Sequence, residues 1–292
     1  ELVEAHGTGT VVGDRTELAA LTEVFTRSGV GAGQVTLGSV KSNVGHTKCA
    51  AGLAGLIKAA LALHHGVLPP SLHVKRPNPG WRGEVSPFLF RSKPAPWPGA
   101  VRHAGVSAFG FGGTNFHAVL GGYGERPPVG PQEWPAELFL FRDRADLHLL
   151  MVWLETSSPR MADLARGMSQ RGSGPVVLAI VARDLDELLR LLAVAREGGT
   201  DEAIFTPSAP GKVAWLFPGQ GSQRPGMLSE LFVAFPELQA LLGETWSDKL
   251  FPGDSFGPET RKAQRAALTD TRVAQPALGI VELAAARVLA RA

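Results

Sequence analysis

A layered α/β fold is what this chain of 292 residues predicts, and three observations carry the prediction. Short β-branched runs, of which residues 35–40 are the clearest, alternate with amphipathic or apolar stretches that only helices can accommodate. Polar, glycine-containing turns stand where a strand run gives way to a helical one, and two of them, EAHGTGT and KSNVGH, place a histidine in the turn. The hydrophobic content of 44% suffices for a sizeable core, and the length points to more than one domain.

The elements follow in order. The first residues end a strand, and the helix after it is signalled by Asp14 as N-cap, Glu17 three residues on, and Leu18, Leu21 and Phe25 on one face. Residues 35–40 form a buried strand, and residues 41–46 crowd Lys41, Ser42, Asn43, Gly45 and His46 into the junction before the next helix. That helix, residues 49–65, is apolar almost all round with Gly52 and Gly55 inside, and is expected to be buried between layers where glycine admits a close neighbour. Proline-rich surface excursions flank a strand at SPFLF; HAGVSAF and FHAVL close the layer around the glycine-dense FGFGGTN. A Gly/Pro-rich passage at residues 121–135 marks a boundary. Beyond it, ELFLFR, helices near 161–170 and 184–196 and the strand PVVLAIVA compose a small α/β module without recognisable chemistry. A second shift at residues 206–211 precedes KVAWLF, expected as a buried strand running into PGQGSQRPGM.

Composition excludes several classes. The formal charge of +2 with scattered Lys and Arg offers no nucleic-acid or membrane surface. No apolar stretch reaches the roughly 20 residues that span a bilayer, and no secretory signal is visible. The single cysteine, Cys49, rules out an internal disulfide framework, and the eight histidines lack zinc-site spacing with carboxylates, so no metal is expected. The cytoplasm is the expected compartment. Glu1 enters on a strand end with no leader, and Ala292 closes a helix without a cap, as expected of a piece cut from a longer chain.

EAHGTGT, KSNVGH and FGFGGTN, in this order, resemble the C-terminal half of a β-ketoacyl synthase, the thiolase-like condensing enzyme of fatty-acid and polyketide synthases. The resemblance implies that His6 and His46 donate hydrogen bonds from neutral imidazoles to a thioester oxygen as malonyl loses carbon dioxide. Donors aimed at developing negative charge in a dry pocket are worth several kcal/mol of barrier. It further implies that Lys41 is the family lysine, disfavouring protonation of His46, that Thr8 and Thr10 touch the phosphopantetheine arm of an acyl-carrier protein, and that the Phe111 amide completes the oxyanion hole while its ring gates the acyl pocket. The family's nucleophilic cysteine belongs to the other half of that domain. Cys49 lies one turn from His46, but its place among alanines on a helix expected to be buried favours a small hydrophobe over a nucleophile.

FPGQGSQRPGM resembles the opening of a malonyl-type acyltransferase, which places the Gln220 amide in an oxyanion hole. DTRVAQPALGIVEL resembles the helix before that family's nucleophile, with Gln275 lining the pocket. No G-x-S-x-G occurs in the sequence. The expected organisation is a thiolase-like half-domain at 1–122, an α/β linker at 123–211 and the start of an α/β-hydrolase-like acyltransferase domain at 212–292. The resemblance implies a parent synthase that joins acyl and malonyl thioesters by decarboxylative Claisen condensation, loads extender units from malonyl-CoA, dimerises through its condensing domain and binds no cofactor directly. These residues by themselves, without either nucleophile, are expected to be inactive. The competing expectation is a non-catalytic scaffold that spaces a condensing and an acyltransferase domain.

Overall fold

The structure is a computed structural model and describes residues 1–123, 130, 134–208 and 211–291. Its first segment builds a five-stranded sheet from β1 (Leu2–Glu4), β2 (Val35–Gly38), β4 (Phe88–Leu89), β6 (His103–Phe109) and β7 (Asn115–Gly121), in the order β4-β2-β1-β6-β7. β7 runs antiparallel to β6, and the other neighbours are parallel. A two-stranded pairing of β3 (Val67–Leu68) with β5 (Ala95–Pro96) lies outside this sheet.

Alternation along β1 puts its two apolar residues on opposite faces: Leu2 enters one hydrophobic cluster and Val3 another. Helix α1 (Val11–Arg27) covers the Val3 face with Leu18, Leu21 and Phe25. Asp14 and Glu17 do not cap it as expected: Thr10 is the N-cap residue, the Gly9 amide donates to Asp14, and Glu17 reaches back past the helix start. The KSNVGH junction is a single helical turn, α2 (Lys41–Val44), followed by a short 3-10 turn and α3 (Ala51–His65).

Helix α3 lies on the Leu2 face through Ala59, Ala62 and Leu63. Its all-round apolar sequence is nevertheless only half covered. The sheet and its neighbours occupy one side, leaving Leu53, Ile57 and Leu61 exposed at helical spacing on the other.

Residues 131–216 form a compact unit of their own. Strands β8 (Glu137–Phe141), β9 (Leu178–Ala182) and β10 (Ile204–Phe205) pair antiparallel in the order β10-β9-β8. Helices α4 (Ala145–Leu154), α5 (Met161–Gln170) and α6 (Leu185–Arg196) close a core around Phe139, Phe141, Ile180 and Leu188. Asp184 caps α6 by accepting the Glu187 amide at 2.8 Å.

KVAWLF is not a buried strand. Among the described residues no strand pairs with it, and Val213 and Leu216 are 83% and 95% exposed. Helices α7 (Ser229–Ala234), α8 (Gly243–Leu250), α9 (Pro258–Ala267) and α10 (Thr271–Leu289) follow. Residues 217–292 share one compact unit with 1–130, because Phe232, Leu242, Ala277 and Val281 join the cluster formed by Leu2 and α3. Where three segments were expected, the contacts define two units. The boundary passages 121–135 and 206–211 fall partly outside the described residues, at 124–129, 131–133 and 209–210.

Candidate active site

Two adjacent parallel strands send their chains to opposite faces: β1 leads into α1 on one face of the sheet, β2 into α3 on the other. Such a switch point leaves a crevice beyond the carboxyl ends of the strands, where α/β sheets hold ligands. EAHGTGT and KSNVGH are the loops at those two ends, and FGFGGTN leaves β6 at the same edge.

Here the structure brings His6 and His46 together, ring centroids 6.0 Å apart and edge to face. Each ring is held the same way. The Phe109 amide donates to His6 Nδ1 at 3.2 Å, and the Lys48 amide donates to His46 Nδ1 at 3.1 Å. A neutral imidazole that accepts at Nδ1 carries its proton at Nε2, so both rings are set as Nε2–H donors. Lys48 itself adopts a left-handed backbone, φ 55°, a conformation that costs a non-glycine residue energy and recurs at functional sites.

The supporting groups are polar and partly buried. Both Glu17 oxygens accept main-chain amides, from His6 at 2.8 Å and Gly7 at 2.9 Å, and Gly7 (φ 45°) and Gly9 (φ 81°) take positive φ in the same loop. Lys41 Nζ donates to the His6 carbonyl, joining the two loops. Burial lowers the Lys41 ammonium from its ordinary value, against the raising effect of Glu4, Glu17 and Asp14. A cavity of about 540 Å³ opens beside these loops, with Thr8, Lys41 and Ser42 on its polar side and Leu18, Leu21 and Phe90 on its apolar side.

His6 is held below its ordinary value of 6.5, first by burial, then by the charge of Lys41 and by His46, with Asp14 opposing. The lysine's charge thus acts on His6. Between the lowered value and 6.5 the unfolded chain takes up a proton that the folded chain refuses, so stability is intact above 6.5 and declines as pH falls below it. An NMR titration of the His6 ring is expected to give a midpoint below 6.5; a midpoint at or above that value contradicts the arrangement.

The other expected residues spread outward. Thr8 and Thr10 are exposed, their hydroxyls 3.2 Å apart. From the strand before the glycine loop it is the Phe109 amide that meets His6, while the Phe111 ring is fully exposed on a loop closed by the Gly110 amide to Thr114 carbonyl bond. Gln220 lies in an exposed turn and Gln275 on an exposed position of α10. Cys49 is exposed rather than buried, since the 3-10 turn lifts it off the covered side of α3. Cys49→Ala is therefore expected to change stability by less than about 0.5 kcal/mol, read as the urea midpoint. Sequence reasoning passed over Glu4, buried at 2% exposure and paired with Lys58 at 2.9 Å. Its signals were an acidic residue ending an apolar strand and a lone lysine in an apolar helix.

Residues 1–75 match the family described as Beta-ketoacyl synthase, C-terminal domain, a span that contains His6, Thr8, Thr10, Lys41 and His46. Polyketide synthase GfsA of Streptomyces halstedii is 40% identical over 258 residues, 83% of this chain and 3% of that protein. The spectinabilin polyketide synthase system protein NorA' of Streptomyces orinoci is 37% identical over 305 residues, covering 98% of this chain and 8% of its own length. Polyketide synthase GfsB of Streptomyces halstedii is 34% identical over 330 residues, covering 99% of this chain and 6% of its own length. This chain spans at most 8% of these three relatives. Over its first 75 residues the chain is thus similar to the C-terminal domain of β-ketoacyl synthases, and over most of its length to a stretch of polyketide synthases.

Proposed function

We propose that residues 1–122 supply the oxyanion-stabilising half of a condensing site in a multifunctional polyketide synthase. In this reading His6 and His46 donate from Nε2 to the thioester oxygen of a malonyl unit. As the C–C bond to the carboxylate breaks and carbon dioxide leaves, the electron pair moves onto that oxygen, and the enolate carbon then attacks the carbonyl of an acyl thioester, whose C–S bond breaks to release the thiolate. The observation that carries the reading is that a main-chain amide occupies Nδ1 of each ring, leaving both Nε2–H groups as donors. Lys41 holds the His6 loop through its carbonyl and keeps positive charge beside the pair. Thr8 and Thr10 would meet the phosphopantetheine arm of an acyl-carrier protein, and the glycine loop bearing Phe111 would close the acyl side.

Residues 123–211 would be a linker, and 212–292 the start of an acyltransferase domain that loads malonyl from coenzyme A, with Gln220 and Gln275 near its pocket. The parent would be a cytoplasmic dimer. No described helix is long and apolar enough to cross a membrane, and no described group of three or more His, Cys, Asp and Glu could hold a metal ion. The competing reading is a non-catalytic scaffold piece; the module 131–216 has a hydrophobic core of its own and holds none of the candidate site residues. The test is to separate malonyl decarboxylation from acylation of the enzyme in His6→Ala and His46→Ala proteins.

A further inference from the structure

We propose that Glu4 is a positioning residue that locks the turn carrying Lys41 and His46 to the strand end carrying His6. The inference rests on the condensing-site reading. Glu4 is the last residue of β1, two residues before His6, and its side chain is 2% exposed. One carboxylate oxygen accepts the Val40 amide, and Val40 is the residue that opens the turn of Lys41 and His46. The other accepts Lys58 Nζ at 2.9 Å from within α3, where the lysine is 14% exposed. One buried carboxylate therefore ties together the strand end that leads to His6, the turn that leads to His46, and α3.

The fold makes room for this carboxylate. A Cβ at position 55 of α3 would stand 3.0 Å from Glu4 Cγ, so glycine there lets the helix close over the glutamate. The arrangement is costly in isolation: a buried charge must be paired and hydrogen-bonded, and here both conditions are met by groups that belong to the site's own frame. A pair of hydrophobic side chains would fill the same space more cheaply. What they would not supply is an acceptor for the Val40 amide, which would then be buried without a partner and free to turn away. Displacement of a catalytic group by about 1 Å can cost a hundredfold in rate.

The experiment uses the intact synthase. Glu4→Leu/Lys58→Met removes both charges together and with them the acceptor, whereas Glu4→Gln/Lys58→Met keeps an oxygen for the Val40 amide. The first protein is expected to lose about 30-fold or more in kcat for decarboxylation, with KM and acylation of the enzyme unchanged. The second is expected to stay within about threefold of wild type, a rescue that charge or bulk alone would not give. Wild-type kcat in the Leu/Met protein, or equal loss in both proteins, overturns the proposal. Should the Leu/Met protein not fold, Glu4→Gln alone and Glu4→Ala alone decide: a fall in kcat at constant KM in the Ala protein with the Gln protein near wild type supports the role of Glu4, and equal kcat in the two overturns it. The two readings fail separately, since His46→Ala with undiminished decarboxylation removes the condensing site itself, whereas loss there combined with full activity in the Glu4 proteins removes only the positioning role.

Discussion

In the intact synthase, His46→Ala is expected to lower malonyl decarboxylation by a factor of about 100 to 1000, the effect of deleting one preorganised donor from an oxyanion site. His6→Ala is expected to fall in the same range, because the two rings are held alike: a main-chain amide at Nδ1 and the Nε2–H free to donate. The loss is confined to the step in which charge develops on the thioester oxygen. Transfer of an acyl group onto the nucleophile does not generate the enolate, so its rate is expected to remain within about threefold of wild type. Decarboxylation is read as carbon dioxide release from malonyl carried on acyl-carrier protein, and acylation as radiolabel retained on the enzyme. Unaltered carbon dioxide release in the His46→Ala protein would refute the assignment. The double variant is expected to be little worse than either single one, since two donors to one oxygen act as a unit.

Much of the candidate site was legible because its residues stand in two short loops at strand ends. EAHGTGT and KSNVGH each present a histidine at a strand end, and the switch point between β1 and β2 follows from the opposite destinations of the two connecting chains. The long-range contacts of the site were not legible, although His46 is held by an amide only two residues on. His6 is held by an amide 103 residues away, and Glu4 meets Val40 across 36 residues, separations on which no periodicity reports. Helical and strand patterns likewise state that a segment is apolar without stating what covers it. Thus α3 reads as buried on all sides and yet exposes Leu53, Ile57 and Leu61, and KVAWLF reads as a core strand and yet stands in solvent. Cys49 shifts from buried to exposed for the same reason. In the module 131–216, β8, β9, α5 and α6 were legible, the last because Asp184 caps it, whereas α4 and β10 were not read from the sequence.

Phe139→Ala is expected to unfold that module while the histidine site stays intact. Phe139 is fully buried on β8, faces Ile180 across the β8–β9 pairing, and lies in a core of leucines drawn from α4 and α6. Truncating a buried phenylalanine costs about 3–5 kcal/mol, the lost transfer free energy plus the cavity that remains. Folded domains hold only about 5–15 kcal/mol in total, and a small unit with a single core stands toward the low end. Because 131–216 keeps its hydrophobic cluster to itself, that loss falls on the module as a cooperative unit. Hydrogen exchange on the intact protein is therefore expected to lose protection throughout β8, β9 and α6 and to retain it in β1, β2 and α3. Loss of protection in both sets at the same rate would show that the module does not fold as a unit of its own. Retained protection in both would show that its core tolerates the cavity, contrary to the packing of Phe139 against Ile180.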